Sequence, residues 1–366
     1  MTRVSHGLPM APYGIAYRRV RRLPLHRLPL APAYWQNRYA FLPRPSVDAM
    51  HFFNGICVAK IPWVSSIEME FPRYFGRVTR AARVEAFERM ASEDCRLLLP
   101  LSEAARRHLL RRTDDRWLAA VEKKTTVFAG GVRVPDRALA ARDARRASSS
   151  PPFTIGFVGR LFWHKGGPAV LEAVERLRAR GADVRLVVVS DLSPKSHIIE
   201  VDASEVARMR DRLRTTPWIE YHADLPNEEV LVRMAGCDVF AFPTFDESLG
   251  WVAIEAIALG LPTVTTNVFA IPEIVENGVE GIAIELPRDQ DGRWRGITDL
   301  NPAPRPTYAE THRVLVEGCA AAFERLLDDP ELRRKMGDAG RRKFVGRFDE
   351  PTAATRLAEL FRGALS

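Results

Sequence analysis

The sequence predicts an α/β fold with parallel sheets, on three observations. Residues 238–285 contain an apolar run from Val239 to Phe242, a helix-length stretch from Leu249 to Leu261 and a β-branched run from Thr263 to Thr266. A strand, a helix and a strand within about thirty residues make a crossover, which requires parallel strands. Strand-like and helix-like segments alternate on both sides of it, and the 366 residues suffice for two domains of ordinary size.

Within the central stretch, Glu255 is the only charged residue between Leu249 and Leu261. Leu249, Val252, Ile254, Ile257 and Leu259 surround the helix instead of lining one stripe, so burial nearly all round is expected. A carboxylate there requires a hydrogen-bonding partner from protein or ligand. Ser248 is expected as the N-cap, and Gly250 lets a ligand approach the first-turn N–H groups, where the helix dipole favours an anion. In open α/β sheets ligands bind outside the carboxyl ends of the strands, which is where this turn falls. The stretch suits something anionic and hydroxylated.

From the amino end, residues 1–47 resist assignment. The Pro spacing in RRVRRLPLHRLPLAPAYWQNRYAFLPRP excludes a long helix, while Arg18, Arg19, Arg21 and Arg22 interleave with Leu, Tyr and Trp. The pattern suits a membrane-surface patch or an irregular wrap around the domain, and the wrap is expected. Ala49 to Phe53, Trp63 to Ile67, Cys95 to Leu99 and Thr125 to Phe128 read as strands, and Val78 to Met90 and Ala104 to Arg112 as helices. Ala138 to Pro152 ends in a Ser/Pro cluster and reads as an interdomain linker.

Beyond it, Phe153 to Val158 reads as a buried strand leading into GRLFWHKGG and a helix from about Pro168 to Arg180. Gly in that loop permits close backbone approach, Pro168 suits a helix start, and Arg160 and Lys165 put two cations at a helix N-terminus, where phosphates bind. Taken alone, the two charges also fit a solvated loop. Val184 to Val189 and Ile219 to His222 read as strands, Ser204 to Leu213 and Glu228 to Met234 as helices. Arg288 to Pro306 is polar and rich in Gly and Pro, which predicts a long surface loop, and Ala353 to Leu365 is an amphipathic closing segment.

Glu247 and Glu255, flanking SLGWVAI, resemble the E-x7-E motif of retaining glycosyltransferases of family-4 type. Gly159, Arg160, Leu161, Lys165 and Gly166 resemble that family's G-R-L-x3-K-G motif. The resemblance is strong from Phe153 to Gly281 and looser from Ala49 onward. It implies the GT-B fold, two Rossmann-like domains facing across a cleft: an acceptor-side domain over 1–147, a nucleotide-sugar domain over 148–347, and a last helix over 348–366 crossing back. It further implies transfer of a sugar from a nucleotide diphosphate sugar to an acceptor hydroxyl, without metal or other cofactor. Arg160 and Lys165 would meet the diphosphate together with N–H groups near Gly250 and Trp251. Glu247 would hold donor-sugar hydroxyls and Glu255 the ribose hydroxyls, with Gly159, Ser248, Leu249 and His222 completing the donor side. A capping role for Glu273 stays as open as a family-like one.

Two departures from the family fall on the acceptor side. A single Gly14 stands where the family has a Gly-Gly loop, and Glu68 stands near the family's His. The N-terminal domain is therefore expected to be reduced or atypical. Glu68 is an acceptor-side candidate base, with a structural role equally open.

Apolar residues make up 46% and charged residues 27%, the balance of a globular soluble chain. No run of eighteen apolar residues occurs, the N-terminus lacks a secretory h-region, and Cys57, Cys95, Cys237 and Cys319 lack zinc or disulfide spacing. The expected location is cytoplasmic, with a peripheral position on the inner face of a membrane as an extension. Residues 1–150 carry 27 Lys and Arg against 13 Asp and Glu. An anionic membrane surface or lipid-phosphate acceptor accounts for this bias, and so does an Arg-rich genome. No recognition-helix or base-stacking pattern supports nucleic-acid binding. Expected partners are a nucleotide-sugar donor and a sugar, lipid-linked or small-molecule acceptor, in envelope polysaccharide or glycolipid synthesis. A GT-B phosphorylase, a sugar-nucleotide epimerase and a non-catalytic sugar-nucleotide-binding protein remain as alternatives.

Overall fold

The computed structural model describes residues 10–17, 31–40, 47–147, 152–196, 198–297 and 303–365. The basic cluster at Arg18, Arg19, Arg21 and Arg22 and the Ser/Pro cluster at 148–151 lie outside them. In chain order the elements are β1 (Arg38–Tyr39), β2 (Met50–Phe53), β3 (Ile56–Cys57), β4 (Trp63–Ile67), α1 (Arg80–Ala91), β5 (Cys95–Pro100), α2 (Glu103–Arg112), α3 (Asp115–Lys123) and α4 (Asp136–Ala147). There follow β6 (Phe153–Val158), α5 (Gly167–Ala179), β7 (Val184–Val189), α6 (Ala203–Thr215), β8 (Ile219–His222), α7 (Asn227–Ala235), β9 (Val239–Phe242), α8 (Trp251–Ala258), β10 (Thr263–Thr266), α9 (Ile271–Ile274) and β11 (Gly281–Ile284). Three helices close the chain: α10 (Arg305–Asp328), α11 (Pro330–Arg347) and α12 (Glu350–Leu365). No helix among the described residues is long and apolar enough to cross a membrane.

The chain divides into two compact units, Met1–Gly131 with Glu350–Ser366, and Val132–Asp349. In the first, β2, β4 and β5 form a parallel sheet with β4 in the middle, and β1 pairs with β3. One core gathers Trp63, Ile67, Met90, Leu98 and Val121. A second gathers Val64, Leu97, Leu99 and Phe128 with Leu357 and Phe361 of α12. Alternate residues of β4 and β5 thus serve opposite faces, as the two-residue period of a strand requires.

Two sequence expectations change here. Residues 125–128 make only one bridge, Leu98 to Thr125, although Thr126 N and Phe128 N still donate to Leu98 O and Pro100 O at 2.9 Å each. Thr125 Oγ1 is engaged with Val121 O at 2.7 Å, closing α3, so the chain joins β5 late. The linker expected over 138–152 is instead helical as far as Ala147. Ala and Arg propagate the helix well, and Arg145 reaches Asp238 while Arg146 donates to Asp338 Oδ1 at 3.1 Å, tying α4 to the second unit.

The second unit is one parallel sheet in the order β11-β10-β9-β6-β7-β8. Numbered within the unit, that order is 6-5-4-1-2-3, the doubly wound arrangement whose strand order reverses between the first strand and the fourth. The reversal lies at the pair β6 and β9, in register at Ile155 with Val239 and Gly156 with Phe240. Burial explains the composition: every residue of β9 and of β10 is buried, as expected of central strands covered on both faces.

Candidate active site

The loops leaving β6 and β9 carry the two motifs, and both emerge at the carboxyl edge where the strand order reverses. The β6 loop ends at Gly166, the N-cap of α5, in a left-handed conformation with φ 75° and Pro168 in the first turn. A Cβ on Gly166 would lie 2.2 Å from Pro243 O, so only glycine lets this loop close against the end of β9. That approach brings the two segments together. Lys165 Nζ lies 2.8 Å from Glu247 Oε2 and 2.9 Å from Asp246 O, with both side chains largely buried. His164 Nε2 is 3.1 Å from the same carbonyl oxygen, and Lys165 Nζ stands 5.5 Å from the Phe242 ring centroid. A cation and a carboxylate, mostly desolvated, thus face each other at the crevice where such sheets bind ligands.

Arg160 reaches outward. Its side chain is 72% exposed, and its Nε donates to Asp191 Oδ2 at 3.0 Å, on the loop after β7. Arg160 O accepts from Ser193 N at 3.1 Å, so the two loops brace each other. Gly159 packs against the stem of Lys165, 3.2 Å from an added Cβ to Cγ.

The N-cap of α8 is Gly250, not Ser248, and the helix runs from Trp251 to Ala258, shorter than the expected Leu249 to Leu261. At φ 93° Gly250 carries the chain through a left-handed residue into the helix, so the turn closes two residues after Ser248 and no side chain caps it. The first-turn N–H groups of α8 are those a helix leaves without internal acceptors, and this one begins beside Glu247. Leu249, Ile254, Ile257 and Leu259 are buried, as is Glu255 at 2% exposure.

The remaining expected residues have the following surroundings. His222 ends β8, the edge strand, and its Nε2 is 2.8 Å from Glu220 Oε1. No described contact joins it to Lys165 or Glu247. Glu273 lies 3.7 Å from Arg347 Nη2, a contact to α11. In the first unit, Glu68 follows β4. It pairs with Arg73, its N–H donates to Asn54 Oδ1 at 2.8 Å, and its Oε2 accepts from Asn54 Nδ2 at 3.2 Å. Gly14 closes a short helical turn over Ala11–Tyr13 at φ 76°, with open space beside it.

Sequence reasoning missed one contributor. The stretch from Arg288, expected as surface loop, turns inward over its described part: Trp294 is 1% exposed and packs on the Phe245 ring at 4.9 Å. A buried indole in a polar segment was the available signal, since Trp seldom lies free on a surface loop. The turn brings Arg293 Nη2 to 3.7 Å from Asp246 Oδ2. Among the described residues no group of three or more His, Cys, Asp or Glu is arranged to hold a metal ion.

Residues 152–300 match the sequence model of the family described as "Glycosyl transferases group 1". The chain is 28% identical over 239 residues, 65% of its own length, to a glycogen synthase of Mycobacterium tuberculosis, covering 48% of that protein. It spans about half the length of the curated relatives it matches. Among solved structures it is similar to a glycosyltransferase from Rickettsia africae, with TM-score 0.59, 16% identity and coverage of 87% of this chain and 77% of that one. It is also similar to Anabaena HepE in complex with UDP-glucose, with TM-score 0.56, 18% identity and coverage of 82% and 72%. The fold is therefore the α/β fold of GT-B glycosyltransferase structures, with the family match confined to residues 152–300.

Proposed function

We propose that this chain is a retaining glycosyltransferase that moves a sugar from a nucleotide diphosphate sugar to an acceptor hydroxyl. The observation that carries the reading is the meeting of Lys165 and Glu247 at 2.8 Å where the strand order of the sheet reverses. UDP-glucose in the structurally similar Anabaena protein supports the donor class, and the glycogen synthase likeness supports a sugar hydroxyl as acceptor.

In this reading the diphosphate sits at the amino end of α8, between Lys165 and Arg160. Cations and N–H groups already fixed by the fold stabilise the charge that grows on the leaving diphosphate, and losing one such donor costs on the order of 100-fold in rate. Those groups supply the charge, so the reading requires no metal or other cofactor. Glu247 holds donor-sugar hydroxyls. Glu255 holds the ribose, with Gly159, Ser248, Leu249, Gly250, Trp251 and His222 as further donor contacts. Glu68, paired with Arg73, and Gly14 belong to the acceptor side, Glu68 as the candidate base. The excess of basic residues in the first 150 fits a lipid-linked or envelope acceptor at an anionic membrane face, with a cytoplasmic, peripheral location.

Incubating the protein with a panel of nucleotide sugars and acceptors, read by mass spectrometry, tests the proposal. A glycosylated product with the donor's anomeric configuration retained is expected. Consumption of donor only with free phosphate, or isomerisation without acceptor, would instead indicate a phosphorylase or an epimerase. No change in any donor would indicate a binding protein.

A further inference from the structure

The turn that carries Arg293 is fixed at both ends and in the middle. Arg288 bridges Trp294 in antiparallel fashion, Arg295 N donates to Pro287 O at 2.8 Å, and Asp289 N donates to Arg293 O at 2.8 Å. Asp289 Oδ1 accepts from Asp291 N at 2.8 Å and Arg293 N at 2.9 Å, and Phe269 N donates to Gly292 O at 2.6 Å. Trp294 then anchors the turn on Phe245, whose ring also stacks on the Tyr308 ring of α10 at 5.2 Å. Such a turn has little freedom, so where it puts Arg293 is a property of the fold.

It puts it against the residue that holds Lys165. Arg293 and Asp246 side chains are 14% and 6% exposed. Asp246 presents its carboxylate to Arg293 and its carbonyl oxygen to Lys165 Nζ and His164 Nε2. Thr244 Oγ1 also donates to the Asp246 carbonyl oxygen at 2.8 Å, so Arg293 and Thr244 together hold the residue, and a buried acidic side chain deprived of its cation strains that hold. Among the described residues Arg293 Nε has no hydrogen-bond partner, so the guanidinium is not committed to another structural role through that atom.

We infer that Arg293 is a positioning residue for the donor site: it fixes Asp246, whose carbonyl aims the Lys165 ammonium at Glu247. The role attributed to Lys165 rests on the proposed transferase reading, whereas the coupling of Arg293 to Lys165 does not. The turn therefore belongs to the site and is not decoration on its rim. Its side chain acts through Asp246 and need not touch the donor.

Acylation of folded protein by acetic anhydride, with modification of Lys165 followed by peptide mass spectrometry, tests the coupling directly. Arg293→Gln is expected to speed modification of Lys165 by about threefold or more, the effect of loosening one charge-assisted contact, and Arg293→Lys to restore slow modification. Equal rates in wild type and Arg293→Gln overturn the inference, whether or not the chain transfers sugar. In turnover, Arg293→Gln is expected to lower kcat about tenfold with donor KM little changed, and the double variant with Asp246→Asn to be no worse than the poorer single. Additive losses would make the two residues independent and overturn it too. Wild-type protein that turns over no donor would refute the transferase reading alone, leaving the acylation result to decide this one. If Arg293→Gln fails to fold, Asp246→Asn, which keeps size and removes charge, carries the same acylation expectation.

Discussion

Lys165 and Glu247 are 82 residues apart in the chain and 2.8 Å apart in the fold, both on loops that leave neighbouring strands of one parallel sheet. Neither side chain is more than 17% exposed. Each is the other's principal counter-charge, so replacing one leaves the other partly buried and uncompensated.

Glu247→Ala and Lys165→Ala are each expected to lower transfer at least about 100-fold while the protein stays folded. Circular dichroism alongside product formation checks this. Turnover within about threefold of wild type would remove the pair from the donor site.

The two motif glycines differ in what they tolerate. In Gly166→Ala the new methyl group meets Pro243 O, a backbone atom that cannot step aside, at a left-handed residue. A loss of about 2–4 kcal/mol is expected, seen as a fall in Tm of several degrees. In Gly250→Ala the methyl meets Ile271 Cδ1 at 2.9 Å, the end of a side chain that can rotate, so only the left-handed cost of about 1–2 kcal/mol is expected.

Glu255→Gln keeps size and removes charge inside a helix where the carboxylate is 2% exposed. On the proposal that Glu255 holds the ribose hydroxyls, nucleoside diphosphate affinity is expected to fall about tenfold, the weight of one charge-assisted hydrogen bond. Titration calorimetry measures it, and unchanged affinity would give Glu255 a purely structural role.

Burial pushes the Cys95 thiol from its ordinary value of 9.0 up to about 12, and all four cysteines are buried. A thiol whose folded pKa is raised contributes its full stability below the unfolded pKa and loses it as pH rises towards the folded one. Stability is thus expected to decline between about pH 9 and 12, by as much as ~1.4 kcal/mol per pH unit per such thiol. Urea unfolding at pH 7 and pH 10 tests the direction. Ellman's reagent at pH 8 should find no thiol in the native chain and four after denaturation.

The second unit was the more legible in sequence because its central strands β9 and β10 are short apolar or β-branched runs buried throughout. Phe153–Val158, Val184–Val189, Ile219–His222, Val239–Phe242 and Thr263–Thr266 fall where the residues alone put them. The family resemblance assigned Lys165 and Glu247 to one donor site, but their 2.8 Å ion pair was not legible in the sequence. Helix entry was less legible: Ser248 has the chemistry of a cap, yet the left-handed Gly250 two residues later sets where α8 begins. Residues 138–147 have a composition that suits linker and helix alike, and only contacts such as Arg146 with Asp338 decide between them. The turn at Arg293 was hidden for the same reason, since one buried Trp294 outweighs its polar neighbours only once Phe245 is in place.

The most direct test of the central claim is titration calorimetry of wild-type and Lys165→Ala protein against a panel of nucleoside diphosphates. One nucleoside diphosphate should bind wild type and bind Lys165→Ala at least about tenfold more weakly. Equal binding to both proteins, or no binding to wild type by any member of the panel, would contradict the account.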